Sequence, residues 1–282
     1  MNYRNVLGSK QVLNISDSES KLLIVGIDGT IGSKLFSTLP TYGWTVYGTS
    51  RDKSRTSSRI RFLDLESPDL DLHTEKFSVA IICAAITSIY QCEKYPSESR
   101  DINVIGTIAL IDSLLQSGTF VVFLSTNAIF DGSKAFYSIT DTPNPLNKYG
   151  SFKLEVEEHL LKKKNANFAI LRLTKLITNQ TKLIVTWNLL VEQKNNILAF
   201  SNRMLSPITM EEVESAISSI ISTKQTGVFH LGGQVELSYF DFAKQYFGGQ
   251  PISLSLIRDS IDPLIPPKEI QHNSLFTLLP KY

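Results

Sequence analysis

Tyr149 and Lys153 stand four residues apart in the stretch KYGSFK (148–153). On a helix that spacing puts both on one face. An ammonium beside a phenol stabilises the phenolate and draws its pKa down from about 10. Such a tyrosine can exchange a proton with a carbonyl or alcohol oxygen. The spacing also occurs on the outer face of ordinary helices, so it carries weight only if other parts of the chain supply a cofactor and a hydroxyl. Gly26-Ile27-Asp28-Gly29-Thr30-Ile31-Gly32 supplies the first. Glycines at this G-x-x-G-x-x-G spacing permit a tight turn and close approach of the backbone to a pyrophosphate, and the following helix offers free N–H groups. Asp28 is an objection, since a carboxylate near phosphates is unfavourable; it must point away or be neutralised. The second requirement is met by Ser125-Thr126, hydroxyls at the end of the apolar run TFVVFLS (119–125).

The segment GTSRDKSR (48–55) bears on the choice of cofactor. An acidic residue at this point would bind the ribose hydroxyls of NAD. Ser50 and Arg51, with Lys53 or Arg55, suit a 2′-phosphate instead, so NADP(H) is preferred over NAD(H), while Asp52 keeps NAD(H) open. Asp64, followed by Leu65, could meet the adenine amino group or cap a turn. Thr87 could line a sugar pocket or cap a turn. Arg203 could pair with a nucleotide diphosphate or lie on the surface.

These residues need a frame at whose carboxyl edge they meet. KLLIVG (21–26), WTVYGTS (44–50), RIRFLDL (59–65), SVAIICAA (78–85), TFVVFLS (119–125), FAILRLT (168–174) and GVFHLGG (227–233) read as strands. TIGSKLFSTL (30–39), the stretch 96–115 and YGSFKLEVEEHLLKK (149–163) read as helices. Strands uniformly apolar along their length fit a sheet covered on both faces. The alternation predicts an α/β fold, a doubly wound parallel (Rossmann) sheet with a smaller C-terminal substrate-binding lobe. The expected organisation is a polar arm over 1–20, a dinucleotide-binding domain over 21–175 to which 223–235 returns, and a lobe from 176–222 and 236–282.

With 28 basic and 27 acidic residues the net charge is +1, which does not suggest a nucleic-acid or membrane-surface binder. No apolar run approaches the ~18 residues of a membrane span, and the first twenty residues lack a signal-peptide core. Cys83 and Cys92 fit no disulfide framework, and neither they nor the four histidines have metal-ligand spacing. A cytoplasmic protein without metal is expected.

Taken together, these motifs resemble the extended short-chain dehydrogenase/reductases, and within them the dTDP-4-dehydrorhamnose reductase-like branch. LSTNAIFDG (124–132) resembles that branch's S-T-D-Y-V-F-D-G segment, and PLNKYGSFKLEVE (145–157) its P-x-N-x-Y-G-x-S-K-x-x-G-E. AIICAAITSIYQCEKYP (80–96), NVIGT (103–107), SPITMEEV (206–213) and PKEIQHNSLFTL (267–278) resemble further segments. The resemblance implies reduction of a nucleotide-linked 4-keto-6-deoxy sugar. Thr126, or alternatively Ser125, would hydrogen-bond the substrate carbonyl, Tyr149 would protonate its oxygen, and Lys153 would tune Tyr149 and hold the nicotinamide ribose. Ala84 and Ala85 would pack near the cofactor, and Asn127 would face substrate. Two departures matter. Asn127-Ala128 replace the branch's Asp-Tyr, and RLTKLI (172–177) replaces R-T-S-W-V-Y. They leave open an NAD-dependent epimerase or a non-catalytic NADP-binding subunit. Asn127-Ala128 also speak against a 4,6-dehydratase, which carries Asp-Glu there. The expected partner is a nucleotide-linked sugar, with a homodimer as candidate assembly.

Overall fold

The computed structural model describes residues 21–68, 76–164, 167–248, 256–260 and 271–280. The arm read over 1–20 and the start of the segment 267–278 lie outside the described residues. Seven strands form one parallel sheet: β1 (Lys21–Val25), β2 (Thr45–Ser50), β3 (Ile60–Phe62), β4 (Val79–Ile82), β5 (Phe120–Thr126), β6 (Phe168–Leu173) and β7 (Gly227–Leu231). Their order is β7-β6-β5-β4-β1-β2-β3, so the direction of winding reverses between β1 and β4. A reversal of this kind opens a crevice at the carboxyl edge of the sheet.

All residues of β4, β5 and β6 are buried, because helices cover both faces. On one face α1 (Thr30–Thr38) and α7 (Met210–Thr223) pack on Leu22, Ile24, Val122 and Leu171. On the other, α4 (Thr107–Gln116) and α5 (Lys148–Leu161) pack on Leu23, Val25, Ile82 and Phe123. A third apolar cluster joins α6 (Lys182–Glu192) and α8 (Tyr239–Phe247) through Ile184, Trp187, Phe242 and Phe247. The helix α7, expected in the lobe, thus belongs to the main core; its apolar positions Val213, Ile217 and Ile220 recur at helical spacing and face the sheet.

The long helix expected over 96–115 is found from Pro96 to Gln116, with a π-turn inside it and a short helix before it. Two short helices, α2 (Ile89–Lys94) and α3 (Pro96–Arg100), lead into a π-turn, Asp101–Gly106, before α4. Pro96 opens the second of them, where its missing N–H costs nothing. At Gly106 a Cβ would stand 1.7 Å from the Leu65 carbonyl oxygen, so only glycine lets the helix pass this loop. The π-turn also points Asn103 at the loop after β4. Its amide donates to the Ile86 carbonyl at 2.9 Å and accepts from the Ile86 N–H at 2.7 Å.

Beneath the sheet edge lies a buried polar cluster. Arg172 of β6 donates through Nε to both carboxylate oxygens of Glu157 at 3.1 Å and through Nη2 to Oε2 at 2.6 Å. Its Nη1 donates to Nε2 of His230 at 3.1 Å. Since arginine only donates, that nitrogen must be an unprotonated acceptor. Burial, seconded by the Arg172 charge, holds the His230 pKa down to about 4. An unfolded chain restores it to about 6.5. The unfolded state therefore binds the extra proton, and this contribution is complete above about pH 6.5 and lost as pH falls toward 4. Acidification from pH 7 to 4.5 is expected to cost ~2–3 kcal/mol through this residue alone. Denaturant titrations of wild type and His230→Gln at both pH values should differ by that amount; equal pH dependences would contradict it.

Candidate active site

The site begins where β1 ends. Gly26 adopts φ +90°, and its N–H donates to the Thr49 hydroxyl at 3.1 Å. A Cβ on Gly26 would stand 2.8 Å from Ala84, and one on Gly32 would stand 2.2 Å from the Gly26 carbonyl oxygen. The turn is therefore closed to larger residues at both ends. Gly29, between them, has no neighbour nearer than 3.8 Å to its missing side chain. As N-cap of α1 it also carries no side chain to satisfy the first-turn amides. Both features suit an approaching anion.

A cavity of about 270 Å³ opens beside this turn, between Gly26, Asp28 and Gly29 on one side and Ser50 and Arg51 on the other. Leu63, Leu65, Ala84, Ala85 and Ile102 supply its walls. Asp64, by contrast, does not line it: its carboxylate accepts from the Glu66 N–H at 3.1 Å, which is the turn-capping alternative. Asp28 is neutralised in place. The Ser50 hydroxyl donates to its two oxygens at 2.9 and 2.8 Å, the Arg51 N–H at 3.2 Å, and Arg55 forms an ion pair with it. Arg55 and the Ser50 hydroxyl, both read as 2′-phosphate partners, are thus engaged by Asp28.

A second cavity of about 450 Å³ adjoins the first through the shared residues Cys83 and Ala85. Thr126, Tyr149 and Lys153 all line it, with Ser125, Thr87, Asn127, Arg203 and Ile31. Three local features bring the first three residues together. Thr126 ends β5 and its hydroxyl accepts from the Ala128 N–H at 3.1 Å. Asn147 caps α5 by accepting from the Gly150 N–H at 2.9 Å, which starts the helix one residue before Tyr149. Gly150 then lets α5 press against the end of β5, since a Cβ there would lie 2.1 Å from the Ala128 carbonyl oxygen.

Lys153 is 4 % exposed and donates to the Leu124 carbonyl at 2.9 Å, with its ammonium 4.5 Å from the centre of the Phe123 ring. Burial lowers its pKa to about 8. For Tyr149 the expected lowering is not found. Burial pushes its phenol up to about 12, opposed by a hydrogen bond with Thr126. The lysine is turned to the Leu124 carbonyl, and desolvation of the phenol outweighs what its neighbour provides.

Asn127 is committed as well. Its amide donates to the backbone carbonyl and side-chain oxygen of Asn273 at 2.9 and 3.0 Å. Asn273 in turn donates from its side chain to the Met204 carbonyl and from its backbone to Glu236. The segment 271–280 thereby forms one wall of the cavity, through Asn273. Neither Asn273 nor Tyr239, which also lines it, was legible in the sequence, because both arrive through long-range contacts with no local motif. Thr174 was also missed, though its place at the end of β6 was a signal. The hydroxyls of Ser125 and Thr174 are buried on this cavity without a hydrogen-bond partner among the described residues. Orphaned buried hydroxyls carry a desolvation cost that a polar ligand would remove. The glycine cradle, the apolar slot and these two hydroxyls fit a nicotinamide dinucleotide lying from the first cavity into the second. No group of side chains able to hold a metal ion occurs among the described residues.

Methionine adenosyltransferase 2 subunit beta of Rattus norvegicus is 24% identical over 237 residues, covering 79% of this chain and 70% of that protein. The dTDP-4-dehydrorhamnose reductase of Sinorhizobium fredii (strain NBRC 101917 / NGR234) is 27% identical over 214 residues, 69% of this chain and 72% of the reductase. In fold, the crystal structure of dTDP-4-dehydrorhamnose reductase from Bacillus anthracis str. Ames in complex with NADP superimposes with a TM-score of 0.79 at 21% identity, covering 91% of this chain and 89% of that one. The model of the RmlD substrate binding domain matches residues 20–258. The chain therefore belongs to the RmlD substrate-binding-domain family, within the extended short-chain dehydrogenase/reductases.

Proposed function

We propose that the protein is an oxidoreductase that uses a nicotinamide dinucleotide to reduce the 4-keto group of a nucleotide-linked 6-deoxy sugar. The observation that carries this reading is that Thr126, Tyr149 and Lys153 line one cavity joined to the glycine-turn cavity. A reduced nicotinamide bound there supplies the hydride. Thr126, with Ser125 beside it, donates to the carbonyl oxygen and orients it. Tyr149 delivers the proton to that oxygen. Lys153 holds the nicotinamide ribose beside Tyr149. Gly26, Gly29, Gly32 and the first-turn amides at Thr30 and Ile31 receive the pyrophosphate; Leu65, Ala84 and Ala85 flank the adenosine; Thr87 and Arg203 face the sugar nucleotide.

With its pKa near 12, the Tyr149 phenol keeps its proton at neutral pH, as an acid that protonates a carbonyl must. Asn127 favours an alternative, a cofactor-binding subunit without turnover. Its amide is held by Asn273 where the reductase branch has a carboxylate, and some relatives carry the name of a subunit. The cytoplasm, where such cofactors and sugar nucleotides are found, is the compartment that suits this role; no described helix is long and apolar enough to cross a membrane. A homodimer is the assembly proposed.

The test is loss of reduced-nicotinamide absorbance with a panel of 4-keto sugar nucleotides. Stoichiometric consumption with at least one of them is expected. Epimerised product without consumption would identify an epimerase, and cofactor binding with no turnover on any of them a binding subunit.

A further inference from the structure

We propose that Asp28 sets which nicotinamide dinucleotide the chain takes, and sets it toward the form without a 2′-phosphate. The inference rests on the dinucleotide-binding reading and reverses the NADP(H) preference drawn from Ser50, Arg51 and Arg55.

Three donors converge on one carboxylate. The Ser50 hydroxyl reaches both oxygens at 2.9 and 2.8 Å, the Arg51 N–H reaches Oδ2 at 3.2 Å, and Arg55 pairs with Oδ1. The carboxylate sits on the wall of the first cavity, between the glycine turn and the end of β2. The apolar side of that cavity, Leu63, Leu65 and Ile102, is suited to an adenine ring. A ribose attached to an adenine there lies beside Asp28 and Ser50. Its 2′- and 3′-hydroxyls are donors, and an ionised carboxylate is an acceptor only, so the two match. A 2′-phosphate at the same place is an anion with acceptors only, and it meets a like charge.

The basic residues nearby do not remove this conflict. Arg55 is held on Asp28 through Nη1, so a phosphate reached by its other N–H groups would share a positive charge that Asp28 already neutralises. The Ser50 hydroxyl has one proton and spends it on Asp28. The backbone N–H of Arg51 is spent the same way. Of the donors that the sequence offered to a 2′-phosphate, the Arg51 guanidinium and Lys53, whose ammonium lies 4.9 Å from the centre of the Phe62 ring, stay outside this network. Asp28 therefore does from the glycine turn what an acidic residue at the end of the second strand does elsewhere, and Ser50 and Arg55 hold it in position.

The experiment is calorimetric titration of the full chain with NADH, NADPH, 5′-AMP and 2′,5′-ADP, on wild type, Asp28→Asn and Arg55→Gln. Wild type should bind NADH about tenfold or more tighter than NADPH, since opposed like charges at a contact are costly. Asp28→Asn, which removes the charge and frees Arg55, should raise NADPH affinity about tenfold and invert the order. Arg55→Gln should keep the wild-type order and weaken NADPH further. The adenosine fragments should follow the same pattern, placing the effect at the ribose. Tighter NADPH than NADH in wild type, or an unchanged ratio in Asp28→Asn, would overturn the assignment while leaving dinucleotide binding intact. Binding of neither dinucleotide would overturn both readings. Should Asp28→Asn not fold, Arg55→Gln decides: an unchanged NADPH affinity would contradict the proposal.

Discussion

Tyr149→Phe is expected to lower kcat on the responsive keto-sugar nucleotide by about a hundredfold to ten-thousandfold, the range that a positioned proton donor supplies. The change removes one oxygen. The ring stays packed beside the second cavity, and the helix start, set by Asn147 and Gly150, is untouched. Cofactor affinity by fluorescence titration should therefore change by no more than about threefold, because the acid acts in the transition state rather than in binding. With the phenol near 12, the wild-type reduction rate should carry no titration of Tyr149 between pH 6 and 9. An inflection near pH 8 belongs to Lys153, whose ammonium loses its proton there. Steady-state kinetics across pH for wild type and Tyr149→Phe check both statements. An unchanged kcat in the variant would remove Tyr149 from the chemistry.

The second large effect falls on stability. Arg172→Ala leaves the Glu157 carboxylate, fully buried on α5, without its three hydrogen bonds from the guanidinium. Breaking a buried pair from one side typically costs about 3–5 kcal/mol, since an uncompensated charge stays behind. For a chain of this size that corresponds to a fall in Tm on the order of 10 °C. Replacing both partners, Glu157→Leu with Arg172→Met, removes the charge as well and should recover most of the loss. The pair sits close to the chemistry: Glu157 follows Lys153 by one turn, and Arg172 is in register with Ser125. It bolts α5 to the strand edge that carries the hydroxyls. Scanning calorimetry of the single and double variants checks the claim; a single variant as stable as wild type would refute it.

Much of this architecture was legible because it is local. Strands buried on both faces are written as apolar runs, and the glycine turn is written as spacing, so the sheet and the cradle followed from the sequence. Tyr149, Lys153 and Thr126 could be brought together because each sits at the end or start of such an element. Residues whose roles depend on distant partners could not be read. The Asn127 amide is set by Asn273, 146 positions away, and Asp28 is set by Ser50 and Arg55 across the turn. The close pass of the helix after Pro96 over the Leu65 carbonyl depends on Gly106, a contact with no signature in the helix itself. The Tyr149 pKa was misjudged for the same reason. Helical spacing brings the ammonium near, but spacing carries no information about desolvation or about the Leu124 carbonyl that holds the lysine.

The assembly of phenol, ammonium and hydroxyl at the cofactor's reactive end is tested most directly by isotope transfer. Reduced dinucleotide deuterated at the transferring position of its nicotinamide is incubated with the chain and the 4-keto-6-deoxy sugar nucleotides, and the products are read by mass and NMR. Deuterium at sugar C4 in at least one product, with formation slowed in Tyr149→Phe to the extent stated above, is the predicted result. Tight dinucleotide binding with no deuterium in any sugar would contradict the account and leave a binding subunit in its place.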